Sequence, residues 1–112
     1  VEEICEVVIT APDADWLVEF TRRLVGLRLA ACGHTIDRIR SIYRWAGDIQ
    51  DDREARVALH TRRSLVAAIA ERADAEHPYD VPCVIALPVV DAHPGYRAWV
   101  LAETMQAETH TG

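Results

Sequence analysis

An α+β sandwich is the fold this sequence predicts, and three observations carry the prediction. Residues 54–60 alternate, with Ala55, Val57 and Leu59 on one face as in a half-buried strand, and residues 4–10 are β-branched and apolar enough for another. Trp16, Phe20 and Leu24, and later Leu65, Ala68, Ile69 and Ala73, recur at helical spacing. The order in which such segments fall is strand, helix, two strands, helix, strand and a final helix. That order specifies a four-stranded antiparallel sheet with helices on one face, the ferredoxin-like arrangement. The 112 residues suffice for one core without metal or disulfide staples, and no linker or repeat divides them, so residues 1–112 are read as one domain.

The first strand, residues 4–10, is β-branched and apolar, with Cys5, Val7 and Ile9 on one face. Pro12 and Asp13 end it and open a helix, Pro12 through its fixed φ and Asp13 by capping free N–H groups. Gly26 marks that helix's end. Residues 30–61 then read as one long hairpin. Tyr43 and Trp45 share a face, and Ala46-Gly47-Asp48 forms the turn, with Gly47 free to take a positive φ. Alternation slips between Ile36, Ile39 and Ile42, which predicts a bulge near residues 37–40. A hairpin this long cannot bury both faces within so small a domain, so part of it is expected to meet another subunit.

Thr61 or Ser64 is the expected cap of the second helix, which Pro78 ends. Residues 81–90 form the fourth strand. Pro82 and Pro88 confine it to a sheet edge or to the interval between them. His93-Pro94 starts a third helix with Tyr96, Trp99 and Val100 on one face, and residues 106–112 are expected to be a flexible tail.

Composition excludes several functions. The formal charge of −6 argues against a general grip on nucleic acid. All twelve basic residues are arginine, which removes Schiff-base chemistry and a phosphate-loop lysine. Neither serine lies in a Gly-x-Ser-x-Gly elbow, and no nucleophile–base pair or paired acids stand out, so no enzyme is expected. No apolar run reaches the ~20 residues of a membrane span. Three scattered cysteines and the absence of a basic-then-apolar leader point to the cytoplasm.

Several residues are candidates for a site, each with two readings. His77, next to Pro78, is either a copper or zinc ligand or a cap on the second helix. Cys32 and His34 share a strand face and either clamp a soft metal or pack as small core groups; Cys5 and Cys83 are expected to pack. Tyr43 and Trp45, interleaved with Arg38, Arg40 and Arg44, either stack bases or line a subunit interface, and the interface fits the charge better. Glu54 is a ligand facing an intersubunit cleft or half of a cross-strand ion pair. Asp51-Asp52 is a solvated tip.

Leu29-Ala30-Ala31-Cys32, the run from Ser41 through Tyr43 and Trp45 to Gly47, Glu54, His77-Pro78-Tyr79-Asp80-Val81-Pro82, Leu87-Pro88-Val89 and Tyr96-x-x-Trp99 resemble the CutA divalent-cation tolerance proteins in order and spacing. The resemblance implies a cytoplasmic, non-enzymatic homotrimer whose long hairpins join sheets between subunits, placing Tyr43, Trp45, Glu54, Tyr79 and Trp99 at interfaces or clefts. It also implies a part in tolerance to copper(II) or another divalent cation, with His77 and Cys32 as the metal candidates. Some members' copper set looks like a cysteine near the end of the first strand and a second histidine before His-Pro-Tyr; those positions are Ile9 and Glu76 here. Where many relatives have lysine and asparagine, this chain has His60 and His34. The alternative is a PII-type trimeric signalling module with a small ligand between subunits.

Overall fold

The computed structural model describes residues 2–106, so the expected tail from residue 107 onward lies outside the described residues. The elements are β1 (Ile4–Ala11), α1 (Ala14–Gly26), β2 (Cys32–Trp45), β3 (Asp48–Arg62), a single 3-10 turn (Arg63–Leu65), α2 (Val66–Glu76), β4 (Val84–Pro88) and α3 (Pro94–Glu103). The strands form one antiparallel sheet in the order β2-β3-β1-β4. β4 is the short edge strand that its prolines required, and Pro88 is its last residue.

Alternation sorts the side chains onto two faces. Val7, Ile9, Val57 and Leu59 pack beneath Leu17, Phe20 and Leu24 of α1 and Ile69 and Ala73 of α2. The opposite face carries Glu6, Val8, Ala58 and His60, and α3 covers only one end of it, through Val100 and Tyr96 against Ile4 and Ala31. The final helix therefore lies across the sheet from the other two. Ile36, Ile85 and Leu87 on this second face remain exposed.

The hairpin follows the sequence closely. Ala46 (φ 53°) and Gly47 (φ 84°) are both left-handed, which makes a two-residue turn matched to strand twist. Pairing runs without interruption from Trp45↔Asp48 to Ile39↔Glu54, then shifts by one residue to Ile36↔Arg56. Asp37 and Arg38 together oppose Ala55. Arg38 takes φ 61°, and its N–H donates to the Asp37 carboxylate at 2.7 Å. The expected bulge is present. It reverses which residues of β2 face the helices, so Cys32, His34 and Ile36 share the second face with Ser41, Tyr43 and Trp45.

Two joints differ from the sequence reading. α1 does end at Gly26, but the left-handed residue is Arg28 (φ 62°), a conformation costing about 1–2 kcal/mol for a residue with a Cβ. Leu29 N–H reaches Leu24 O at 2.9 Å and Arg28 N–H reaches Val25 O at 3.0 Å, closing the helix. The Arg28 guanidinium then donates to the terminal carbonyls of α3, Ala102 O at 2.6 Å and Glu103 O at 3.3 Å. One arginine thus ties two helix ends together, and those bonds offset its strain. Neither Thr61 nor Ser64 caps α2. Thr61 donates to Leu29 O at 2.6 Å and Ser64 to Glu2 at 2.6 Å, while α2 runs straight out of the 3-10 turn.

Gly33 sets how closely α1 approaches β2. A Cβ there would lie 2.5 Å from Thr21 Cγ2 and 2.9 Å from Leu59 Cδ2. Gly33→Ala is expected to lose about 1–3 kcal/mol in denaturant unfolding, the usual cost of overpacking. A loss within a few tenths would mean that the helix has room to withdraw.

Candidate functional site

Two polar groupings lie on the second face, at opposite ends of β1. The first is a row across the sheet. Strand register places Leu87 beside Glu6, Glu6 beside His60 and His60 beside Cys32. His60 Nε2 lies 2.9 Å from Glu6 Oε2; a carboxylate only accepts, so the proton is on Nε2 and the Nδ1 lone pair is free to accept. That lone pair accepts from the Tyr96 hydroxyl of α3 and lies 3.8 Å from Cys32 Sγ. Cys32 Sγ is also 3.2 Å from Tyr96 Oη. His34, two residues along β2, faces the same way, its ring centroid 5.5 Å from that of His60. The ligating atoms of Cys32, His34 and His60 all lie within 4.8 Å of one another.

The second grouping lines a cleft of about 650 Å³ between the outer hairpin and the segment after α2. Tyr43, Trp45, Glu54, Tyr79, Asp80 and Cys83 contribute to its walls. Glu54 is buried opposite Ile39 and accepts from the Tyr79 hydroxyl at 3.2 Å. Among the described residues it has no cationic partner, so the expected cross-strand ion pair is replaced by a phenol–carboxylate bond. The reason is register: Arg40 faces Arg53 and forks onto Asp51 at 2.8 and 2.7 Å instead. Asp52 accepts from the Tyr43 hydroxyl, so the acidic tip is bonded back into its own hairpin. Trp45 and Trp99 are exposed, Trp99 lying against Tyr96 on α3, far along the chain from the cleft residues.

His77 closes α2, its N–H bonded to Ala73 O at 2.8 Å. Its Nδ1 accepts from Tyr79 N–H at 3.0 Å and its Nε2–H donates to Thr10 O at 2.7 Å. Both ring nitrogens are thus committed to joining the end of α2 to the end of β1, and His77 stands apart from Cys32 rather than beside it. The copper set implied by the resemblance does not fit: Ile9 is fully buried in the core and Glu76 is bonded to Arg23 at 2.8 Å and Arg72 at 3.1 Å. Of the two cysteines expected to pack, Cys5 is buried, while Cys83 is exposed at the cleft. The register-dependent members of the row, His60, Glu6 and Tyr96, escaped the sequence reading of Cys32 and His34.

All three tyrosines are held above the ordinary phenol range. The bond to Asp52 pushes Tyr43 up to about 12. Burial, then the charge of Glu54, raises Tyr79; burial, then the bond to Cys32, raises Tyr96. A raised folded value means that folding favours the protonated phenol, so the stability tied to these groups is full below about pH 10, the usual phenol value, and is lost as pH rises through the folded values. An absorbance titration of the folded protein is expected to show no tyrosinate of full amplitude at pH about 10, and Asp52→Asn to bring one residue's ionisation back toward it. A full one-residue step near pH 10 in the parent protein would contradict these bonds.

The fold and its hairpin define a class: an α+β protein with a four-stranded antiparallel sheet and an extended β2–β3 arm. Residues 5–103 match the family model described as CutA1 divalent ion tolerance protein, and the chain belongs to that family. It is 44% identical over 92 residues to Protein CutA of Mus musculus, covering 82% of this chain and 52% of the relative. With the Divalent-cation tolerance protein CutA of Thermus thermophilus it shares 35% identity over 98 residues, covering 88% of this chain and 95% of the relative. The chain thus spans about half the length of the animal relative but nearly all of the bacterial one. The crystal structure of CutA1 from Oryza sativa superimposes with a TM-score of 0.91 at 33% identity, covering 94% of this chain and 96% of that one. The Thermus thermophilus structure gives 0.87 at 34% identity, covering 94% and 100%.

Proposed function

We propose that this chain acts without catalysis, as a homotrimer in the cytoplasm, in the tolerance of divalent metal ions, by binding copper(II) or another divalent cation. The observation that carries the reading is the match over residues 5–103 to a family described by divalent ion tolerance. Exposed apolar side chains support the trimer. Ile36, Ile85 and Leu87 lie on the sheet face that α3 leaves open, and Ile42, Ile49 and Trp45 lie along the hairpin, with Ile49 68% exposed. Apolar surface of this extent, rimmed by polar groups, is what subunit contacts cover. The raised phenols and their carboxylate partners are donors and acceptors bound to one another, which supports binding rather than proton transfer. Three unpaired thiols suit a reducing compartment.

Native mass spectrometry of tag-free protein, with copper(II) and zinc(II) titrated in, tests both parts. The expected species has three times the 12.5 kDa chain mass and takes up one ion per chain. A trimer that stays bare would remove the direct binding of metal, and a monomer would remove the assembly.

The cleft favours a second reading, a PII-type trimeric signalling module. Its walls combine Tyr43 and Trp45 with Glu54 and Asp80 and include no arginine. An acidic, aromatic cleft attracts an amine and repels a nucleotide phosphate. In a thermal-shift screen of nucleotides and small amines, a specific rise in melting temperature with an amine is expected on this reading. A rise with a nucleotide alone would contradict the charge argument, and none at all would end it.

A further inference from the structure

We propose that Cys32, His34 and His60 form a binding site for a thiophilic divalent transition ion, with zinc(II) as its reference occupant. This deepens the metal-binding reading above and rests on it for its role, but its geometry stands separately. A tetrahedral zinc ion, with metal–sulfur about 2.3 Å and metal–nitrogen about 2.0–2.1 Å, needs its ligand atoms about 3.3–3.6 Å apart. Cys32 Sγ and His60 Nδ1 are 3.8 Å apart, and no pair among the three ligating atoms exceeds 4.8 Å. His34 is exposed in the single chain, so its ring has room to turn toward the other two ligands.

The supporting groups are also in place. Glu6 holds the proton of His60 on Nε2, which orients Nδ1 toward Cys32, the carboxylate–histidine pairing found behind metal-ligating imidazoles. Tyr96 Oη, bonded to Nδ1 and 3.2 Å from Cys32 Sγ, occupies the space between them. Entry of the ion replaces the bond from Tyr96 to Nδ1. The phenol then donates to the Cys32 sulfur, and the fourth position stays open to water. One proton leaves the Cys32 thiol for solvent as the metal–sulfur bond forms, and both imidazoles bind through neutral lone pairs. One sulfur and two nitrogens suit zinc or cobalt, whereas magnesium and calcium require oxygen. None of the three residues belongs to the family's copper set described above.

The test is calorimetric titration of the whole protein with zinc(II), under a non-thiol reductant, together with cobalt(II) absorption. One zinc per chain is expected, with a thiolate-to-cobalt charge-transfer band that Cys32→Ser abolishes. His34→Asn, with its melting temperature and oligomeric mass checked against the parent protein, is expected to lower zinc affinity at least about tenfold. Glu6→Gln is expected to fall in the range of about 10–100-fold. Wild-type affinity in both Cys32→Ser and His34→Asn would end this site while leaving metal binding elsewhere on the protein. Failure of the parent protein to bind zinc, cobalt or copper would end the site and the direct-binding reading together.

Discussion

The extra residue that β2 carries between Ile36 and Ile39 is the constraint on which the second face depends. A strand presents alternate residues to alternate sides, and one inserted residue exchanges them. Before the bulge, Thr35 pairs with Val57 toward the helices; beyond it, Ile39 pairs with Glu54 toward the other side. Were these same residues to alternate regularly, with no bulge to absorb the extra one, Tyr43 and Trp45 would lie on the helix side and Arg40 and Arg44 would take their places. The bulge therefore gathers the row of Cys32, His34 and His60 and the aromatic arm on one surface. Asp37 stabilises the left-handed Arg38 locally, so the reversal needs no glycine.

Polar groups on that surface are satisfied in short, closed sets. Tyr43 serves Asp52, Tyr79 serves Glu54, and Tyr96 serves both Cys32 and His60. Among the described residues, no buried side-chain nitrogen or oxygen lacks a partner. The arrangement suits a binding surface, because each phenol holds its proton and each acceptor is already placed. His77 and His60 differ in the partners their ring nitrogens take. His77 spends both nitrogens on the backbone at Thr10 and Tyr79, whereas His60 spends one on Glu6 and turns the other toward the Cys32 thiol and the Tyr96 hydroxyl. Both rings are held at both nitrogens, but the partners differ: His77 is fastened to backbone, His60 to side chains.

The family resemblance was legible in short runs scattered along the chain, and both the family model and the solved relatives agree with it. Chain-specific departures carry separate meaning. Ile9 and Glu76 close one metal set by filling it with a core side chain and an ion pair. His34 and His60 stand elsewhere, grouped with Cys32 on the second face.

Local chemistry by itself determined most of the architecture. Apolar periodicity set the strands and helices, Ala46-Gly47 set the turn, and the slipped alternation near Asp37 set the bulge, because each depends on neighbours within a few residues. The prolines alone sent β4 to an edge. Tertiary structure decided what distant residues share. Counting back from the turn, with one residue removed for the bulge, pairs Cys32 with His60, but Glu6 and Tyr96 join them only because β1 and α3 pack where they do. The guanidinium of Arg28 meets the terminal carbonyls of α3 only because the two helix ends pack together, and Glu54 meets Tyr79 only because the segment after α2 folds over the arm. Sequence spacing encodes periodicity along an element, whereas contacts between elements are settled by the packing of all of them at once.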